Sequence, residues 1–147
     1  MAVTPIAANG VPIPSQISTP DTFDLHSINL TAGERYVFIA QGATEGKGTL
    51  ADPNMEIGNL DASGTFVPIF SSKGGLSVGS IVLSAADPVI SFVPGATGTY
   101  VVAVGSDIPH GTGTYTLEVA HGGSLIGALP KNIISIIPTI HNVSLGL

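Results

Sequence analysis

The sequence predicts an all-β protein, an antiparallel β-sandwich of the jelly-roll or immunoglobulin-like kind with about eight or nine strands. Three observations carry this. Short apolar runs recur at strand length with period two, as in Tyr100, Val102 and Val104 and again in Tyr115, Leu117 and Val119. Turn residues punctuate the chain every few positions, with 19 Gly and 11 Pro among 147 residues. No central segment holds a helical 3.6 period, and no run of apolar residues is long enough for a membrane-spanning helix.

Residues 1–20 carry Pro5, Pro12, Pro14 and Pro20, which favour an extended arm with one edge strand. They lack a basic start and a continuous apolar stretch, so they do not read as a secretory signal. In the next segment, Phe23 and Leu25 are out of phase with Ile28 and Leu30, and a bulge near His26 and Ser27 would bring both pairs inward. Thr31-Ala32-Gly33-Glu34 is a turn, and Arg35 to Ala40 reads as a central strand. A hairpin follows around Asp61-Ala62-Ser63-Gly64, joining the Met55 and Ile57 strand to Phe66–Phe70. Candidate strands at 76–84 and 89–93 precede the alternating pair at 100–104 and 115–119. The three tyrosines fall on strand positions that read as buried. The domain division is therefore an arm at 1–20, a sandwich at 21–120 and an apolar tail at 121–147.

Only 10% of residues are charged, against roughly 25% in ordinary globular domains. Four Lys and Arg face ten Asp and Glu, a net charge of −6, which leaves no basic patch for nucleic acid or an anionic membrane surface. The absence of cysteine excludes disulfides, thiolate nucleophiles and Cys-ligated zinc.

Two motifs imitate catalysis. Gly75-Leu76-Ser77-Val78-Gly79 matches the G-x-S-x-G elbow, but that elbow joins a strand to a helix in a much larger α/β sheet. Gly42 to Thr49 resembles a phosphate loop with one residue too few between its glycines. Neither supports an enzyme, and the catalytic site is expected to be absent. The four histidines, His26, His110, His121 and His141, show no metal-ligand spacing. Oxygen ligands are better represented: Asp52, Asn54, Glu56 and Asp61 lie close in sequence and suit calcium, the one metal the sequence suggests. The same residues also cap turns without an ion. No motif calls for an organic cofactor.

Several segments taken in order resemble the bacterial pre-peptidase C-terminal domain family, small β-sandwiches appended to exported peptidases. They are Leu30-x-Ala32-Gly33-Glu34-x-Tyr36-x-Phe38, Gly48-Thr49-Leu50-Ala51-Asp52-Pro53-x-Met55, Asp61-x-Ser63-Gly64, Phe92 with Gly98-Thr99-Tyr100-x-Val102-x-Val104, and Gly113-Thr114-Tyr115-x-Leu117-x-Val119. The resemblance implies an accessory module, not a catalyst. Some related modules bind calcium after the second hairpin, where this chain has Phe70-Ser71-Ser72-Lys73-Gly74-Gly75.

The first functional expectation is a structural or decoration subunit, displaying its sandwich outside a virion, filament or cell and contacting protein subunits of its own kind in a homo-oligomer or larger assembly. Its assembly surface would be Val3, Ile6, Val11 and Ile13 of the arm and Ile133, Ile134, Ile136, Ile137, Ile140, Val143 and Leu145 of the tail. The alternative is an extracellular binding module accompanying an exported hydrolase, recognising protein, polysaccharide or cell envelope. Neither involves nucleic acid or membrane insertion.

Overall fold

In the computed structural model the chain is described at residues 3–43, 46–72, 75–78, 81–83 and 88–121. The described strands are β1 (Val3–Pro5), β2 (Ile13–Ile17), β3 (Asp24–Leu30), β4 (Tyr36–Gln41), β5 (Pro53–Leu60), β6 (Phe66–Ser72), β7 (Gly75–Val78), β8 (Ile81–Leu83), β9 (Pro88–Phe92), β10 (Gly98–Ser106) and β11 (Gly113–His121). They form two sheets, in the orders β1-β3-β10-β5-β6 and β2-β11-β4-β9-β7-β8. All neighbours are antiparallel except β1 with β3 and β7 with β9. The predicted β-sandwich is the observed fold. Among the described residues no helix is long and apolar enough to cross a membrane.

Period-two alternation explains the core. Ile28, Leu30, Met55, Ile57, Tyr100, Val102 and Val104 of the first sheet meet Ile17, Tyr36, Phe38, Ala40, Ile90, Tyr115, Leu117 and Val119 of the second. All three tyrosines are buried, as the alternation predicts. Each fully buried apolar side chain contributes on the order of 1.5–3 kcal/mol, so this layer dominates stability. Leu50, from the loop between β4 and β5, fills the same core.

Where the sequence suggested an arm with one edge strand, residues 1–20 form two, one on each sheet: β1 pairs with β3 and β2 with β11, because the prolines fall at strand ends or edge positions. Val3 packs beside Leu25, Val101 and Ala103, while Ile6 and Ala8 pack against the main core. The expected bulge at His26 and Ser27 is absent, because β3 runs in unbroken register against β10. His26 instead occupies an inward position, and Leu25 turns to the outer face, where Val101 and Ala103 cover it. The bulge lies in the β5–β6 hairpin, between Ile57 and Gly58. Ser77 sits inside β7, paired with Val82 of β8, so the G-x-S-x-G segment is strand and not elbow.

The Asp61 turn closes with Gly64 N–H on Asp61 O at 3.0 Å, and Gly64 at φ 85° takes the left-handed conformation this tight turn requires. Gly48, in the loop that resembled a phosphate site, lets that loop lie against β11: Thr49 and Leu50 N–H both bond Thr114 O, at 3.0 and 2.9 Å. A Cβ on Gly48 would run into the Thr114 carbonyl oxygen. Gly48→Ala is therefore expected to destabilise the fold by roughly 1–3 kcal/mol in urea unfolding. Gly95→Ala, where a Cβ meets open space, is expected to stay within about 0.5 kcal/mol of the parent.

Candidate functional site

Two features lie side by side at one pole of the sandwich, one built on residues 24 and 26 of β3 and the other on residues 21–23 just before it. The first is a buried polar cluster. Asp24 and His26 lie on the inward phase of β3, facing Ser15 of β2 and Tyr115 of β11 across the gap between the sheets. Asp24 Oδ2 accepts hydrogen bonds from Ser15 Oγ and from Tyr115 Oη, each at 2.5 Å. Because the single phenolic proton is directed to Asp24, Tyr115 Oη accepts from His26 Nε2 at 2.7 Å. His26 Nε2 also stands 3.3 Å from Asp24 Oδ2.

This network assigns the proton to Nε2 and leaves His26 Nδ1 the bare nitrogen. Nδ1 is buried and has no hydrogen-bond partner among the described residues. A second proton would place an unpaired N–H⁺ inside the protein. Burial accordingly holds the imidazole below its ordinary value of 6.5, against the opposing pull of the Asp24 carboxylate. Burial first, then the bond to Asp24, pushes the Tyr115 phenol far above its usual range and keeps it neutral.

The cluster resembles a catalytic triad only in composition. Ser15 gives its proton to the carboxylate, not to the imidazole, and His26 is 2% exposed. A general base needs reach to a substrate proton, and this one is sealed. Its role is to tie the two sheets together and to hold β2 in place.

The second feature is a cleft of about 240 Å³ lined by Asp21, Thr22, Phe23, Gly105, Ser106, Ile108 and Gly111. It is partly open and its lining is mixed: Phe23 and Ile108, 39% and 44% exposed, supply the apolar surface, and Asp21, Thr22 and Ser106 supply polar atoms. Phe23 lies over Gly105, where a Cβ would come within 2.8 Å of the ring. Asp21 forms the rim: its Oδ2 meets His110 Nδ1 at 2.6 Å, and its Oδ1 accepts the His110 N–H at 3.0 Å. Asp21, Asp52 and His110 all adopt positive φ, at 59°, 48° and 61°. Asp and His enter this left-handed region more readily than most residues, and the Asp21–His110 bonds hold two of these three turns together.

Of the four candidate calcium ligands, Asp52 and Asn54 reach this pole. Asp52 O accepts the Asp107 N–H at 3.0 Å, and Asn54 Nδ2 donates to Asp107 Oδ1 at 2.9 Å. Asn54 Oδ1 is buried with no hydrogen-bond partner among the described residues. Glu56 lies further along β5, opposite Ala103 and Ser71. Asp61 lies past the far end of β5, on the order of 25 Å from Asp52. Its Oδ1 accepts from Ser63 N, Ser63 Oγ and Thr65 N at 2.9, 2.6 and 2.9 Å, bonds that hold its carboxyl below the usual range. The four therefore do not converge on one ion, and among the described residues no three His, Asp or Glu side chains form a metal cage.

The arm residues of the expected assembly surface are divided. Val3 and Ile6 pack within the domain, Ile13 is half-buried on β2, and Val11 is 56% exposed. Ile133, Ile134, Ile136, Ile137, Ile140, Val143 and Leu145, together with His141, lie outside the described residues. His121 stacks on Tyr36 and meets Glu34 Oε2 at 3.1 Å, at the opposite pole from the cleft.

A β-sandwich with an open polar-rimmed cleft and an inter-sheet polar cluster around a buried histidine is the class of protein this geometry defines. No known family matches the sequence, and no curated protein is similar to it in sequence. Solved structures do share its fold. A surface-associated copper-binding protein of Methylomicrobium album BG8 superposes with a TM-score of 0.53 at 10% identity, over 83% of this chain and 98% of its own. The pre-peptidase C-terminal domain of a Bacillus anthracis collagenase gives a TM-score of 0.48 at 16% identity, over 80% and 94%. A periplasmic inhibitor of g-type lysozyme from Aeromonas hydrophila gives 0.45 at 12%, over 80% and 96%. At these identities each is a likeness of fold.

Two outcomes test the buried cluster. The unfolded chain takes up a proton on histidine near pH 6.5, whereas His26 in the folded chain resists it; this contribution to stability is present above pH 6.5 and lost as pH falls below it. Urea midpoints measured from pH 7.5 to pH 5 should fall with acidification in the parent and fall less in His26→Gln. Tyr115→Phe, which removes both the donor to Asp24 and the acceptor for His26, should cost about 1–3 kcal/mol at neutral pH.

Proposed function

We propose that this chain is a non-catalytic accessory binding module that works outside the cytoplasm, recognising a protein or cell-envelope partner through the cleft at the Asp21 pole. The observation that carries the reading is the cleft itself. It sets two exposed apolar side chains, Phe23 and Ile108, among the polar groups of Thr22 and Ser106, with the Asp21 carboxylate at a rim fixed by its bonds to His110. Its volume of about 240 Å³ falls below the roughly 300–1,000 Å³ of pockets that engulf a whole small molecule. It suits one protruding group of a larger partner.

Charge indicates the kind of group. The module carries −6 overall, and Asp21, Asp52 and Asp107 gather at this pole. A lysine or arginine side chain, with its aliphatic stem against Phe23 and Ile108 and its cation at the rim, satisfies both surfaces. The non-catalytic reading is supported by the sealing of His26 and by the placement of Ser77 within a strand. The placement outside the cytoplasm is supported by the resemblance to domains of exported peptidases and by the fold shared with a surface-associated protein. The alternative of a displayed structural subunit draws on the arm, and two of the four arm residues invoked for it are occupied within the domain.

Amide shift mapping on isotope-labelled protein is the test, using a short lysine-rich peptide, a glutamate-rich peptide and a neutral oligosaccharide as probes. The basic peptide should move Thr22, Gly105, Ile108 and Gly111, and Ile108→Ser should weaken that response at least several-fold while leaving the fold intact. Shifts confined to other surfaces, or equal shifts with all three probes, would refute the cleft as the recognition site.

A further inference from the structure

The arm closes one side of the sandwich. β1 borders β3 at the edge of the first sheet, β2 borders β11 at the edge of the second, and Ile6 and Ala8 of the segment between them pack against the main core. Residues 3–17 thus form a strap across the gap in which Ser15 meets Asp24, His26 and Tyr115. Its hold is light. β1 has three residues and β2 five, Pro14 brings no N–H to the ladder, and Ile17 alone among residues 3–17 is fully buried. Outside the strands it is fastened by Ile6 N–H on Ser27 O at 2.8 Å and Gly10 N–H on Val119 O at 2.9 Å.

We propose that this strap is an acid-released latch, opened by protonation of His26. The closed interior accommodates one proton on the ring. Nε2 has Tyr115 Oη at 2.7 Å and Asp24 Oδ2 at 3.3 Å, so charge on that side has a counter-ion. Nδ1 is buried with no hydrogen-bond partner among the described residues, and a second N–H there needs water. The walls around the ring differ in how easily they yield. β3, β10 and β11 are each paired on both sides, whereas β1 and β2 are paired on one. The titratable groups facing the ring are Asp24 of its own strand and Tyr115 of β11. Thr4 of β1, Ser15 of β2 and Val102 of β10 carry no charge, and residues 3–17 contain no Asp, Glu, Lys, Arg or His. Acid therefore reaches the strap through the His26 cluster. Burial holds the imidazole of the closed form below 6.5, so the closed strap is favoured above that pH and the open form gains below it. For a ring that titrates near 6.5 once released, the open population rises by up to about 30-fold from pH 7.5 to pH 5.

Native-state hydrogen exchange on the full chain, corrected for intrinsic rates and repeated in low concentrations of urea, tests this. Protected amides within residues 13–17 should exchange through an opening with a much smaller urea slope than that of Phe38 and Val102 in the core. Their protection should drop by at least about five-fold from pH 7.5 to pH 5. His26→Gln, whose folding is checked by the protection of Phe38 and Val102, should remove most of that drop, and His110→Gln combined with His121→Gln should retain it. A strap opening insensitive to pH would overturn the proposal. So would a urea slope at residues 13–17 equal to that of the core, which means that only global unfolding releases His26, or a pH response that persists in His26→Gln. If that variant does not fold, the pH and urea series on the parent decides by itself. The strap lies outside the cleft lining, so failure here leaves the recognition reading standing.

Discussion

The Asp24 carboxylate sits at the margin between the two sheets, a quarter exposed, and the part of it withdrawn from water is satisfied by hydrogen bonds from both sheets. Ser15 and Tyr115 each donate to Oδ2, and His26 stands beside them. These partners come from β2, β3 and β11, so satisfying one carboxylate fixes the relative placement of both sheets and of the arm. It also sets the phase of β3. With Asp24 and His26 inward, Leu25 must point outward, and Phe23, on the same phase as Leu25, is delivered to the wall of the cleft. Recognition surface and structural tie are thus adjacent consequences of one strand's register.

Low charge and high apolar content follow from how the layers are used. A sandwich with one solvated face per sheet needs polar residues at every second position. Here the outer face of the first sheet buries Leu25, Val101 and Ala103, and that of the second buries Val37, Ile39 and Val89. Both sheets are apolar on parts of both faces, which is why 44% of the chain is hydrophobic and only 10% charged. Open β6 is a different case. Its exposed Val67, Ile69 and Phe70 lie on an edge strand, but Pro68 lacks an N–H and the bulge at Ile57 and Gly58 bends the hairpin, two devices that discourage pairing with another strand.

Much of the fold was legible because strand period and turn chemistry are local. The alternation of β10 and β11, the burial of all three tyrosines, and the Asp61 to Gly64 turn with its self-contained hydrogen bonds all follow from residues within a few positions of one another. The phase slip around His26 was visible too, but its meaning was not. A polar pair on the inward phase is satisfied only by Ser15 and Tyr115, and Tyr115 is about 90 positions away. The sequence-adjacent ligand set failed for the converse reason: an eight-residue strand separates Asp52 from Asp61 and carries them to opposite poles.

By itself the sequence determined the class of fold, the strands, the turns and the exclusion of cysteine and nucleic-acid chemistry, because composition and short-range periodicity act within each segment. Only the tertiary structure decided which polar residues meet, that Phe23, Ile108 and Asp21 border one cleft, and that Val37, Ile39 and Val89 form a buried outer patch. Those outcomes depend on inter-strand register and on loops crossing between sheets, where contact joins residues that local rules treat as unrelated.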